Sequence, residues 1–187
     1  GIKSISIGMM KPNKDDVIAW RGPILDRALT QLLADVHWGD LDYLLLDLPP
    51  GTGDIAMSLG QKVPTAEVLV VTTPQQAASE VAERAGTMAA LMNQKIMGVV
   101  ENMSWLAFTA PDTGKEYRID LFGSGGGQEA ADALSKRLGT EVPLLAQVPM
   151  DIELRKGGDE GDPIVTAHPE SPAAQAIVEL AKNLDSR

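Results

Sequence analysis

The sequence contains no cysteine. Such a chain forms no disulfide, thiolate zinc site or cysteine-ligated iron–sulfur cluster from its own residues. It also lacks any apolar run near the roughly 20 residues that a membrane-spanning helix needs. Its first residues have neither the basic region nor the apolar stretch of a signal peptide, although Gly1 need not be the natural start. Basic residues are few. Lys and Arg number 16 against 26 Asp and Glu, for a net charge of -10. Nucleic-acid binding and attraction to an anionic membrane surface both need basic stripes, so neither is expected. The cytoplasm is the expected location. A P-loop of the form Gly, four residues, Gly-Lys-Ser/Thr is missing too, since Gly114-Lys115 runs into Glu116.

What is present reads as one domain over residues 1–187. The length suits a single sizeable core, and 44% apolar content argues against disorder. Ile2 to Ile7 alternates apolar and polar residues and reads as a strand. Pro23 fits the first position of a helix running to about Val36, with Ile24, Leu25, Leu29, Leu32 and Leu33 on one face. A strand is expected at Tyr43 to Asp47 and a short helix from Ile55 to about Gln61. Another strand follows at Glu67 to Thr73, then a helix from about Gln75 to Met92 and a strand at Lys95 to Asn102. Residues 103–121 suggest a small hairpin turning at Thr113-Gly114. A helix from Gln128 to Leu138 stops at Gly139. The last strand covers Val142 to Val148. Asp151 can cap a short helix ending at Gly157-Gly158, and a final helix runs from about Ser171 to Leu184. This alternation predicts a three-layer α/β fold with a mainly parallel sheet and right-handed crossovers.

The stretch Leu44-Leu45-Leu46-Asp47-Leu48-Pro49-Pro50-Gly51-Thr52-Gly53-Asp54 stands out. Its leucine run fits a strand buried on both faces. Ligands of open α/β sheets bind outside the carboxyl ends of the strands, where Asp47 would sit. A carboxylate there, before a glycine-rich loop, suits Mg²⁺ and a phosphate approached by backbone N–H groups. The alternative is a buried strand with an acidic end and a tight turn. Gly123-Ser124-Gly125-Gly126-Gly127-Gln128 is like a dinucleotide fingerprint, but it fails at the third glycine and lacks a buried parallel strand just before it.

Trp20-Arg21-Gly22-Pro23, His37-Trp38-Gly39-Asp40-Leu41-Asp42-Tyr43, Asp47 to Asp54, Glu101-Asn102-Met103-Ser104, Phe122 to Gly127 and Val148-Pro149-Met150-Asp151 occur in this order. Together they resemble the Mrp-type iron–sulfur cluster carrier ATPases, relatives of the MinD/ParA deviant-Walker NTPases, over essentially the whole chain. The resemblance implies a three-layer α/β/α P-loop NTPase-like fold that is incomplete at its N-terminus. Family members begin with a strand and a Walker A loop carrying two lysines, a segment that would lie before Gly1. Without that strand, its two neighbours would face a gap with unpaired backbone groups. Many relatives also carry Cys-x-x-Cys shortly after Glu-Asn-Met-Ser. Here Trp105 to Tyr117 holds no thiol.

The resemblance implies these roles. Asp47 is the Walker B carboxylate, acting on Mg²⁺ through a water. Gly51 brings its backbone N–H to the γ-phosphate, where a side chain would block the approach. Asn102 offers an amide to the adenine edge, or is a plain loop residue. Pro149, Met150 and Asp151 line the other side of the base, with Asp151 otherwise an N-cap. Asp54 is a helix cap, with a switch or metal role as the alternative. Arg21 reaches a phosphate or a partner subunit, or pairs with a surface carboxylate. Trp20, Trp38 and Trp105 read as packing residues, and His37 and His168 are assigned no chemistry. No residue is singled out as catalytic. The implied function is an ATP-binding and ATP-hydrolysing iron–sulfur cluster carrier or assembly factor. It would use ATP and Mg²⁺, work as a homodimer, and serve iron–sulfur client proteins. The alternatives are an ATP-gated positioning or scaffold protein of the MinD/ParA kind and a non-catalytic binding module. The final helix carries one Lys and one Glu and no aromatic between Ser171 and Leu184, unlike a basic membrane-seeking helix.

Overall fold

The computed structural model describes residues 1–10, 22–48 and 54–186. They form two compact units, Gly1–Pro64 and Thr65–Arg187.

In the first unit, a short 3-10 helix covers Ile7–Met10, and two α-helices follow: α1 (Gly22–Ala34) and α2 (Asp54–Lys62). The two α-helices contact each other, and Ala28 and Leu29 of α1 and Leu59 of α2 are buried. Asp26 on α1 accepts a hydrogen bond from the Ser58 hydroxyl and lies 3.2 Å from Lys62 Nζ, both on α2. Trp38 donates its indole N–H to the Leu32 carbonyl at 3.0 Å, closing the chain back on the end of α1.

Two expected strands are corrected here. Residues 2–6 and 43–48 form no strand among the described residues. Leu45 is 90% exposed, where a strand buried on both faces was expected. The reason is cooperative. A parallel strand takes its ladder and its cover from neighbours, and no described residue of this unit supplies a ladder partner.

The second unit holds the sheet: β1 (Val68–Thr72), β2 (Ile96–Thr109), β3 (Glu116–Ile119) and β4 (Leu144–Met150). Its helices are α3 (Gln76–Leu91), α4 (Gly126–Leu138), α5 (Ile152–Glu160), α6 (Ile164–Ala167) and α7 (Pro172–Asp185). β2 is central. It pairs in parallel with β1 and β4, and its far end pairs antiparallel with β3. Alternate residues of these apolar strands feed two separate cores. On one face Val70 and Val99 pack with Ala82 of α3 and Ala130, Ala131 and Leu134 of α4. On the other, Val100 and Val148 pack with Ile164 of α6 and Ala173 and Ala174 of α7. Helices therefore cover both faces of a mainly parallel sheet, and the unit is a three-layer α/β/α structure.

Three details depart from expectation. β2 does not end at Asn102 but continues to Thr109, forming the hairpin with β3, with Gly114 at φ +64° in the turn. α5 runs through Gly157 and Gly158 and ends where Gly161 takes φ +78°, because a residue in the left-handed region rather than glycine content alone stops a helix. The single turn α6 was not anticipated. α7 starts as expected, with Ser171 Oγ accepting from Ala174 N at 3.1 Å and Pro172 in the first turn. No described helix is long and apolar enough to cross a membrane.

Candidate nucleotide site

The middle of β2 lies beside the carboxyl end of β4, with Asn102 in register with Val148. Past that point the register breaks, and the next pair is Leu106 with Met150. Four steps along β2 match two along β4, so β2 bulges between Asn102 and Leu106. Bulges re-aim side chains at strand ends, often next to functional sites. Met103 supplies the bend, with φ +55°.

Local hydrogen bonds set this bulge. Asn102 Oδ1 accepts from Met103 N at 2.8 Å, and Ser104 Oγ donates to the Glu101 carbonyl at 3.0 Å. Glu101 itself is 1% exposed. Its carboxylate accepts from Gly127 N at 2.7 Å and from Gln147 Nε2 at 2.8 Å. Burying a charged group is costly unless its oxygens meet donors, and here each oxygen does.

Gly126 and Gly127 make that contact possible. A Cβ on Gly127 would lie 2.7 Å from Glu101 Cβ, and one on Gly126 would lie 2.3 Å from the Pro74 carbonyl oxygen. The glycine run that resembles a dinucleotide fingerprint is thus the seat where α4 docks on the sheet. Its first-turn N–H meets a carboxylate of the protein's own.

The expected site residues fall as follows. Asn102 is half-buried at the bulge, and Pro149 is buried one residue beyond Val148. Asp151 caps α5, accepting from Glu153 N at 2.7 Å and Leu154 N at 3.2 Å. Asn102, Pro149 and Asp151 therefore lie together around the carboxyl end of β4. In the first unit, Asp47 is exposed and Asp54 is the first residue of α2. Arg21 and Gly51 lie outside the described residues. Among the described residues, no group of three or more His, Cys, Asp or Glu side chains could hold a metal ion. Mg²⁺ keeps most of its ligands as water and substrate phosphate, so one carboxylate such as Asp47 fits its usual demand on a protein.

Sequence reasoning missed Glu101. The readable signal was an acidic residue closing the apolar run Ile96 to Val100, with bare glycine N–H groups elsewhere in the chain to receive it.

The ParA family model, described as NUBPL iron-transfer P-loop NTPase, matches residues 1–185. The chain belongs to this family. Among its relatives in the iron-transfer NTPase family, an iron–sulfur cluster carrier protein of Mycobacterium leprae is 55% identical over 186 residues, covering 100% of this chain and 47% of that protein. Another, from Deinococcus radiodurans, is 46% identical and covers 98% of this chain and 49% of its own length. The chain spans about half the length of these curated relatives. Among solved structures, the septum site-determining protein MinD of Pyrococcus horikoshii, complexed with Mg-ADP, superposes with a TM-score of 0.60 at 26% identity, covering 88% of this chain and 57% of that one. A nucleotide-binding protein of Archaeoglobus fulgidus in complex with ADP gives 0.58 at 36% identity, covering 74% and 53%. The fold is that of the P-loop NTPases.

Proposed function

We propose that the natural protein binds and hydrolyses ATP as an iron–sulfur cluster carrier or assembly factor, in the cytoplasm and as a homodimer, with both compact units belonging to one NTPase domain. One observation carries the nucleotide part: Asn102 at the β2 bulge lies beside the carboxyl end of the parallel strand β4, where Pro149 and then Asp151 follow, and α/β proteins take ligands at such strand ends. Asn102 reads the base by its amide, and Pro149 and Asp151 flank it. Asp47 serves Mg²⁺ through a water, and Gly51 offers its N–H to the γ-phosphate. Bound Mg²⁺ would neutralise charge developing on the transferred phosphoryl group. Asp54 and Arg21 belong to the switch or subunit interface.

The cluster is cargo, and these 187 residues hold no thiol to ligate it. Its sulfur ligands come from elsewhere in the protein or from the client. Anaerobic reconstitution of the natural full-length protein with iron and sulfide tests this. Cluster absorbance that transfers to an apo client supports the carrier reading, and no bound cluster removes it. A second reading, an ATP-gated scaffold without cargo, is favoured by the thiol-free hairpin. A membrane-positioning role has less support, because Ala173 and Ala174 of α7 are fully buried against the sheet.

A further inference from the structure

We propose that Glu101 is a positioning residue for nucleotide recognition, locking the β2 bulge that presents Asn102. The inference rests on the nucleotide reading above. Glu101 is the last residue before Asn102, and its fully buried carboxylate is held from two other elements, the first turn of α4 through Gly127 and the strand β4 through Gln147. Its own carbonyl takes the Ser104 hydroxyl from the far side of the bend. One side chain therefore ties the start of the bulge to a helix and to the neighbouring strand. The positive end of α4 favours the negative charge there.

The surroundings are built to keep this contact. Any side chain at Gly127 would strike Glu101, with Cβ only 3.0 Å from Oε2. Ser79 Oγ donates to the Gly126 carbonyl at 2.8 Å, fixing the same turn of α4 from α3. Asn102, by contrast, is held by its own local bond to Met103 N, which sets the amide relative to the bulge but not the bulge relative to the sheet. Beside the ladder pairing of Asn102 with Val148, the second task falls to the Glu101 side chain. Its loss should act on the base contact more than on the phosphates, because Asn102 is the group it aims.

The test uses the natural full-length protein and measures ATP and GTP affinities by displacement of a fluorescent ADP analogue. Asn102→Ala and Glu101→Leu are each expected to reduce the preference for ATP over GTP about tenfold, the size of one lost hydrogen bond. Glu101→Gln combined with Gln147→Glu exchanges donor and acceptor across the same contact and is expected to restore the preference. Should Glu101→Leu fail to fold, Gln147→Leu removes one of the two anchors from the outside and is expected to shift the preference in the same direction. A wild-type preference retained in Glu101→Leu or Gln147→Leu, while Asn102→Ala loses it, overturns the positioning role. Absence of ATP binding by the wild type overturns the nucleotide reading and this inference with it, whereas an unchanged preference in Asn102→Ala overturns the base contact of Asn102 and, with it, this inference alone.

Discussion

Asp151 serves the chain locally whether or not a nucleotide is near. Replacing it with alanine removes the acceptor for Glu153 N and Leu154 N, and a lost cap costs about 1 kcal/mol. Urea unfolding should register that loss. Asp151→Ser keeps a capping oxygen, so stability is expected to hold while nucleotide affinity falls. An unchanged affinity would reduce Asp151 to a cap. Asp26 gives a pH-dependent counterpart. The Ser58 hydrogen bond, followed by Lys62, holds its carboxyl below the usual carboxylate range. A lowered folded-state pKa contributes stability that is present above the unfolded value and lost as pH falls through the folded one. The α1–α2 pair should therefore loosen in strong acid, and Asp26→Asn should flatten that part of the profile, as followed by Ser58 chemical shifts. At this scale the sequence disclosed caps well, since Asp151 and Ser171 act through neighbours two and three residues away. It hid Glu101, whose partners are 26 and 46 residues distant.

Among elements, those with strong local periodicity were legible. β1, α3, α4 and α7 lie within a residue or two of expectation because an apolar run or stripe is also what a two-sided core requires. The length of β2 was not legible. Glu101 to Ser104 looks like a strand ending in a loop, because Met103 bends the backbone and pairing resumes only at Leu106. Beyond the bend, the hairpin is held by side chains. Phe108 stacks on Tyr117 with ring centroids 5.4 Å apart, and the Arg118 guanidinium lies 4.0 Å from the Trp105 ring centroid. An exposed cation–π contact contributes about 0.5–1 kcal/mol. The ion pair of Arg118 with Asp120 adds little, being exposed on both sides. Arg118→Ala should thus speed amide exchange in β3 and the end of β2, with the amides of β1 and β4 unaffected.

For the molecule as a whole, phosphoryl transfer depends on positioning and charge, and no lysine-bearing phosphate loop occurs among these 187 residues. Loss of even one such donor commonly costs about 3 kcal/mol in the transition state. The isolated 187-residue chain is expected to turn over ATP at background, and turnover by a preparation free of contaminating ATPases would contradict this. The continuity of β2 carries a consequence for timescale. Val99 and Val100 are flanked by β1 and β4 and covered by a core on each face, whereas Ala107 to Thr109 have β3 alone as a ladder partner. One strand therefore belongs to two cooperative opening units, with Asn102 at their border. The amides before the border should outlast those beyond it in deuterium by orders of magnitude. The residue expected to meet the base would then stand where slow, global opening gives way to fast, local breathing.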